Sequence, residues 1–190
     1  PLLNNMKGGG KIIPFIGGLV VPPGKIPEYF KRIYQIFTDF EFLIINDGST
    51  DGSVGIIKSY DDSRIRLINN GKNIGLVKTL NKGIEVAEGE YLARMDCDDI
   101  SLPKRLEKQV SFLDTNPDID LCGTWVNFFG GKNITLWKTV EEDENIKSHL
   151  IFNPSVAHPT VLFRLKILRD DRIPYEERFV HAEDYGLWVS

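Results

Sequence analysis

Two apolar runs in this chain each end in carboxylates. Phe42-Leu43-Ile44-Ile45 leads into Asn46-Asp47-Gly48-Ser49, and Tyr91-Leu92-Ala93-Arg94-Met95 leads into Asp96-Cys97-Asp98-Asp99. Short runs of large and β-branched residues bounded by polar turns read as strands buried on both faces. A strand that delivers acid groups at its C-terminal tip sets them on the rim of an open α/β sheet, where such sheets bind ligands.

The segments between these runs define the fold class. Thr50 or Asp51 can cap a short helix reaching about Tyr60. Arg64 to Asn69 reads as a strand, and Asn70 to Gly75 as a loop. Val77, Leu80, Ile84 and Ala87 then fall at helical spacing, and Gly89 ends that helix. Pro103 opens the next helix, whose apolar face is Leu106, Val110 and Leu113, and Asn116-Pro117 stops it. Ile119 to Phe129 reads as a long apolar strand region. Strand and helix thus alternate from 41 to 129, which predicts a mainly parallel sheet covered by helices on both faces.

Outside that span the pattern is weaker. Leu19-Val20-Val21 reads as the first strand, and Ile26 to Phe37 carries a helical stripe. After Gly130-Gly131 the expectations are a helix over Thr139 to Phe152, a strand within Val156 to Phe163, a charged loop from Ile167 to Phe179 and a helix begun at Glu183. The second part is too short to bury much alone and reads as a continuation of one domain. The chain reads as a fragment of a longer protein.

Composition excludes several classes. The 190 residues are 42% hydrophobic with a formal charge of −4 and no long Lys/Arg run, so a general nucleic-acid binder is not expected. Cys97 and Cys122 make no disulfide framework and fit a reducing, cytosolic setting. No stretch has the length of a membrane-spanning helix, since Ile12 to Val21 is short and holds Pro14, Gly17 and Gly18.

Asp96 and Asp98 lie two apart, so on extended backbone both point to one side. Two such carboxylates repel unless a cation sits between them. Hard oxygen ligands select Mg²⁺ or Mn²⁺, which keep open positions for phosphate oxygens. The plainer reading is a solvated acidic turn before Pro103. Cys97 points the opposite way from its neighbours and is not expected to be a ligand. Asp47 is either an Asx-turn residue or, with Thr50 or Asp51 doing the local capping, free to bond a nucleoside base or ribose. Asn73-Ile74-Gly75 precedes a helix, where backbone N–H groups can hold a phosphate, although a simple loop is the plainer reading. Lys72 and Lys78 are placed to reach a diphosphate, although solvated surface lysines are the commoner case. Of Glu183 and Asp184 only one can face a given cleft, because successive helical residues point about 100° apart. Trp188 shares a face with Asp184 and reads as core, and His158 reads as structural.

Taken together, FEFLIINDGSTD (40–51), NIGLVKTLNKG (73–83), AEGEYLARMDCDDISLPKRL (87–106), HPTVLFR (158–164) and HAEDYGLW (181–188) resemble the family 2 glycosyltransferases of the GT-A fold, above all bacterial enzymes of polysaccharide and glycoconjugate synthesis. The resemblance implies a single α/β domain with a Rossmann-like, mainly parallel sheet. About 19–129 would be its nucleotide-sugar-binding half and about 130–190 its acceptor-side half. It implies that Asp47 contacts the nucleoside, that Asp98 is the principal metal ligand with Asp96 serving ribose or metal, and that Asp184 is the catalytic base. Asn46 departs from the acidic residue usual at its position, and Val20 to Lys25 lacks the Tyr or Asn of the family's first-strand segment, so no nucleobase contact is assigned there.

The expected reaction is inverting transfer of a sugar from a nucleotide-diphosphate sugar, such as a UDP-sugar, to a hydroxyl of a saccharide or lipid-linked acceptor, with Mn²⁺ or Mg²⁺. The expected location is cytoplasmic, with peripheral attachment at the inner face of the membrane left open. Two alternatives stand beside it. A sugar-nucleotide-forming nucleotidyltransferase would want a Gly-rich basic loop after its first strand, for which Gly8-Gly9-Gly10-Lys11 is the only hint. The other alternative is a non-catalytic nucleotide-binding fragment.

Overall fold

The computed structural model describes residues 40–96, 99–129, 135–170 and 174–190, together with the backbone of a strand at 12–17. Six strands form one sheet: β1 (Ile12–Gly17), β2 (Phe42–Asn46), β3 (Ile65–Asn69), β4 (Tyr91–Arg94), β5 (Leu121–Cys122) and β8 (Leu162–Arg164). Their order is β3-β2-β1-β4-β8-β5. The pairs β2/β3, β1/β2 and β1/β4 are parallel, while β8 runs antiparallel to both β4 and β5. Strands β6 (Val126–Phe128) and β7 (Thr135–Trp137) make a separate antiparallel ribbon.

The strand period of two sorts the core into two layers. Phe42, Ile44, Tyr91 and Ala93 pack on one face with Ile57 of helix α1 (Ser53–Lys58) and Leu106, Val110 and Leu113 of helix α3 (Arg105–Thr115). Leu43, Ile45 and Leu92 pack on the other with Leu80 and Ile84 of helix α2 (Leu76–Val86), Leu165 and Leu168 of helix α5 (Leu165–Arg169) and Leu187 of helix α6 (Glu183–Trp188). Helix α4 (Asp143–Leu150) contributes Leu150 to the buried set. Each fully buried side chain of this size contributes about 1.5–3 kcal/mol.

Two arginines close the helix ends. Arg169 donates to the carbonyls of Ile84, Glu85 and Ala87 at the end of α2. Arg164 donates to Leu113 O at 2.6 Å, Asn116 O at 3.2 Å and Ile119 O at 2.9 Å, and to Tyr91 Oη at 3.1 Å. Cations there satisfy carbonyls that lack intrahelical partners.

The expected alternation holds from 41 to 122, with local differences. The strand at the centre of the sheet is Ile12–Gly17; the strand expected at 19–21 lies outside the described residues, as do the helical stripe at 26–37 and Gly8 to Lys11. Pro14 argues against a central strand because it lacks an N–H. It is tolerated because β1 pairs with β2 only from Phe15 onward, so Pro14 has a register partner in β4 alone. The apolar region 119–129 divides into β5 and β6 around Gly123, where an added Cβ would sit 2.9 Å from Val156. The expected strand at 156–163 begins instead as a 3₁₀ turn, His158–Thr160, with Pro159 inside it. The stretch read as a charged loop starts within α5, whose Leu165 and Leu168 are buried. The 139–152 helix is shorter, Asp143–Leu150. Cys122 is a free thiol pushed up to about 11 by burial, against weaker opposing effects of Gln109 and Arg105, which makes it unreactive.

Replacing Arg164 by Lys leaves carbonyls of the α3 end without a partner, because one ammonium cannot match the guanidinium fork. The expected loss in urea unfolding is about 2–3 kcal/mol. A variant within about 0.5 kcal/mol of wild type would contradict this account of the α3 terminus.

Candidate active site

Parallel order puts the C-terminal tips of β2, β3 and β4 on one rim, and the reversal of β8 brings its preceding turn, His158–Thr160, to the same rim. The tips carry Asn46-Asp47, Asn69-Asn70 and Met95-Asp96.

Asp47 is 8% exposed and both its oxygens are engaged. Oδ1 accepts from Asn70 Nδ2 and Ile74 N, each at 2.9 Å, and Oδ2 accepts from Gly75 N at 3.0 Å. Burial raises its pKa, but the hydrogen bonds from Asn70, Ile74, Gly75 and Thr79 outweigh that and hold the carboxylate below its ordinary value of 3.8. The amides of Ile74 and Gly75, offered by the sequence for a phosphate, are therefore taken by Asp47. The expectation that Asp47 has no local task is corrected in the same way. The N-cap of α1 is Gly52, and Asp51, one residue ahead of it, accepts from Ser53 N at 3.0 Å. Asn70 also bonds Thr79 Oγ1 and accepts from Lys82 Nζ at 2.7 Å, fastening the β3 tip to α2. Gly48, at φ +79°, lets the two loops touch: a Cβ there would lie 2.5 Å from Asn73 N and 2.6 Å from Lys72 C. Lys78 is ion-paired with Glu177 at 3.3 Å on the exposed surface.

At the next tip, Asp96 is part-exposed and its Oδ2 lies 2.6 Å from Nη1 of the buried Arg94. Arg94 Nε is buried with no hydrogen-bond partner. The Arg94 carbonyl accepts from Arg105 at 2.9 Å, and Arg105 in turn bonds Gln109, which donates to Cys122 O and Thr160 O. Arg105 and Gln109 thereby pin the β4 tip between β5 and the His158 turn. Cys97 and Asp98 lie outside the described residues.

The second half supplies Asp184, in the first turn of α6, its Oδ1 accepting from Tyr185 N at 2.8 Å. Helix α6 lies by Tyr175, a buried residue whose phenol is pushed up first by burial and then by the charges of Asp184, Asp96 and Glu183, against the opposing effect of Arg94. The His158–Thr160 turn stands on the rim of the β4 tip and its His158 ring meets Trp188 of α6, so that turn joins the β4 tip to α6. Asn81 of α2 exchanges two hydrogen bonds with the Tyr175 backbone, 2.8 and 2.9 Å. Asn81 stands about 9 Å along the helix from the Gly75 amide that Asp47 holds. His158 is half-buried and has the structural place expected of it, bonded to Tyr175 Oη; desolvation, and then the charge of Arg94, hold its pKa far below the ordinary imidazole value, so it stays neutral. Trp188 joins the core, stacked on Phe163 at 5.7 Å.

Sequence reading missed Asn70, Asn81, Arg94 and Tyr175 as parts of this region. Asn70 was findable, since it follows a strand as Asp47 does. Tyr175 sits in a charged segment with no periodicity, and only the fold brings it to Asn81.

Asp47→Asn leaves a single acceptor oxygen for three donors and should cost about 1–2 kcal/mol near neutral pH. The native pKa lies below the unfolded one, so the Asp47 contribution is complete above 3.8 and disappears as pH falls through the lowered native value. Acid unfolding curves of the two proteins should therefore converge at low pH. A stability difference that stays constant across that range would remove the carboxylate from this role.

The family model described as Glycosyl transferase family 2 matches residues 13–174. An uncharacterized glycosyltransferase of Methanocaldococcus jannaschii is 35% identical over 162 residues, covering 82% of this chain and 55% of that protein. Among solved structures, Staphylococcus aureus TarS 1–349 in complex with UDP-GlcNAc matches with a TM-score of 0.69 at 22% identity, over 93% of this chain and 52% of that one. The mannosyltransferase PcManGT of Pyrobaculum calidifontis, in complex with GDP-Man and Mn²⁺, matches with a TM-score of 0.64 at 16% identity, over 88% and 48% of the two chains. The chain spans about half the length of the curated relatives it matches, 55% and 52% for the first two. The mixed sheet has the GT-A arrangement of these solved neighbours, and the chain belongs to glycosyl transferase family 2.

Proposed function

We propose that this chain carries out inverting, metal-dependent transfer of a sugar from a nucleotide-diphosphate sugar, a UDP-sugar in the first instance, to a hydroxyl of a saccharide or lipid-linked acceptor. One observation carries the reading: the His158–Thr160 turn stands on the rim that carries Asp96, and the His158 ring meets Trp188 of the helix that carries Asp184. The likeness to proteins solved with UDP-GlcNAc and with GDP-Man and Mn²⁺ supports a nucleotide-sugar donor and a divalent ion.

In this reading Asp47 shapes the nucleoside end. It holds the 73–75 loop through the amides of Ile74 and Gly75 and the β3 tip through Asn70. The donor set at the β4 tip suits a hard cation: part-exposed carboxylate oxygen with no thiolate or imidazole among the described groups there. Asp98, outside the described residues, is the principal metal ligand in this reading, with Asp96 serving ribose or metal; among the described residues no three His, Cys, Asp or Glu side chains are grouped closely enough to hold a metal. A bound Mn²⁺ or Mg²⁺ would neutralise charge on the departing diphosphate. Arg94 holds Asp96 by its Oδ2 and leaves Oδ1 for the ion.

Asp184 takes the proton of the acceptor hydroxyl as that oxygen bonds to the anomeric carbon and the bond from this carbon to the phosphate oxygen breaks. The nucleoside diphosphate leaves with the bonding pair. A single displacement of this kind inverts the anomeric centre and needs no nucleophilic side chain. No helix among the described residues is long and apolar enough to cross a membrane.

Asp184→Asn should lower turnover of a UDP-sugar by about 10²–10⁴-fold while the Kd for UDP stays within about twofold. Unchanged turnover would take the role of base from Asp184. In thermal or chemical unfolding, UDP with Mn²⁺ at a hundredfold excess over Kd should stabilise the fold by about 2.7 kcal/mol, and EDTA should abolish the effect. An equal stabilisation in EDTA would argue against metal-mediated binding of the diphosphate.

A further inference from the structure

Helix α6 has six residues, too few to hold a helical shape without its surroundings. Tyr185 Oη ties it to Leu150 O at 2.6 Å and Trp188 stacks on Phe163, and a further set of anchors runs through Tyr175. The backbone of Tyr175 is clamped to α2 by the paired bonds with Asn81. Its hydroxyl lies 2.7 Å from His158 Nε2. The His158 ring meets Trp188, the last residue of α6, edge-on at 5.9 Å and 81°. On the other flank, Glu176 O accepts from Phe179 N, and the Phe179 ring lies over Gly186 of α6, where an added Cβ would come within 2.3 Å of it. Trp188 and Asp184 are four apart and share a helix face, so what fixes one fixes the direction of the other.

We infer that Tyr175 is a positioning residue: clamped to α2 and bonded to His158, it fixes α6 and so sets where the Asp184 carboxylate stands relative to the tip of β4. The catalytic consequence rests on the proposed role of Asp184, and the structural consequence does not. The hydroxyl is the working atom. Without it His158 Nε2 faces an apolar ring, and a buried nitrogen without a partner is costly. Relief comes from turning the imidazole, and that ring is one of the two that hold Trp188, Phe163 being the other.

Tyr175→Phe removes only the hydroxyl. Hydrogen–deuterium exchange followed by mass spectrometry should show amides of 183–188 exchanging about tenfold faster, with β2 and β4 unchanged. Release of UDP from UDP-glucose or UDP-GlcNAc should show kcat lowered about tenfold with KM within about twofold. His158→Leu, which removes both the partner of the Tyr175 hydroxyl and the ring that meets Trp188, should behave as Tyr175→Phe. Unchanged exchange in 183–188, uniform acceleration across the sheet, or a raised KM with kcat intact would each overturn the inference. If neither donor is turned over, the exchange pattern decides alone. Asp184→Asn run in parallel separates the two readings: full activity there sinks the base while the exchange result still judges Tyr175.

Discussion

Strand β8 runs against its neighbours, and the rest of the site depends on that reversal. A sheet of parallel strands alone would offer one row of C-terminal tips. An antiparallel strand brings its N-terminal end to that row, and with it the His158–Thr160 turn. The ladder that fixes this is short: Tyr91 opposite Arg164, Leu92 opposite Phe163 and Ala93 opposite Leu162. Arg164 reinforces it by reaching from β8 to the end of α3, and Gln109 by joining α3 to β5 and to Thr160. The second half of the chain is therefore stitched into the first through the sheet.

The carboxylates on the rim need restraint, and each is restrained by a different means. Asp47 is held by neutral donors, two backbone amides and the Asn70 side chain, which keep it charged while buried. Asp96 is held by a cation that is itself buried, Arg94, so one of its oxygens has a fixed direction. A buried guanidinium with an unsatisfied Nε is expensive. Its retention beside Asp96, where its charge also acts on His158 and Tyr175, fits a site in which electrostatics matters more than stability. Asp184 is left in the first turn of a short helix, whose direction is set by aromatic packing.

Much of this could be read from residue order. The runs at 42–46 and 91–94 are strands, and the helices at 76–86 and 105–115 follow the apolar spacing, because buried strands and amphipathic helices leave strong periodic signals. The acids at strand tips followed from the same signals, and the GT-A class from the resemblance. What could not be read depends on contacts distant in sequence. The place of β1 was hidden by Pro14, which a one-sided pairing accommodates. The local work of Asp47 was hidden because its partners lie in a loop of another βα unit. Tyr175 gave no signal at all: its partners Asn81 and His158 belong to segments that only the fold assembles.

The account turns on the convergence of the β4 tip and α6 on one crevice. Paramagnetic broadening by Mn²⁺ with UDP, read residue by residue in amide NMR spectra, tests it most directly. The prediction is that signals of Asp96, Asp184 and Tyr185 broaden together while those of Asp118 and Asp120, ahead of β5 on the opposite rim, stay sharp. Broadening around Asp96 with α6 untouched would contradict it.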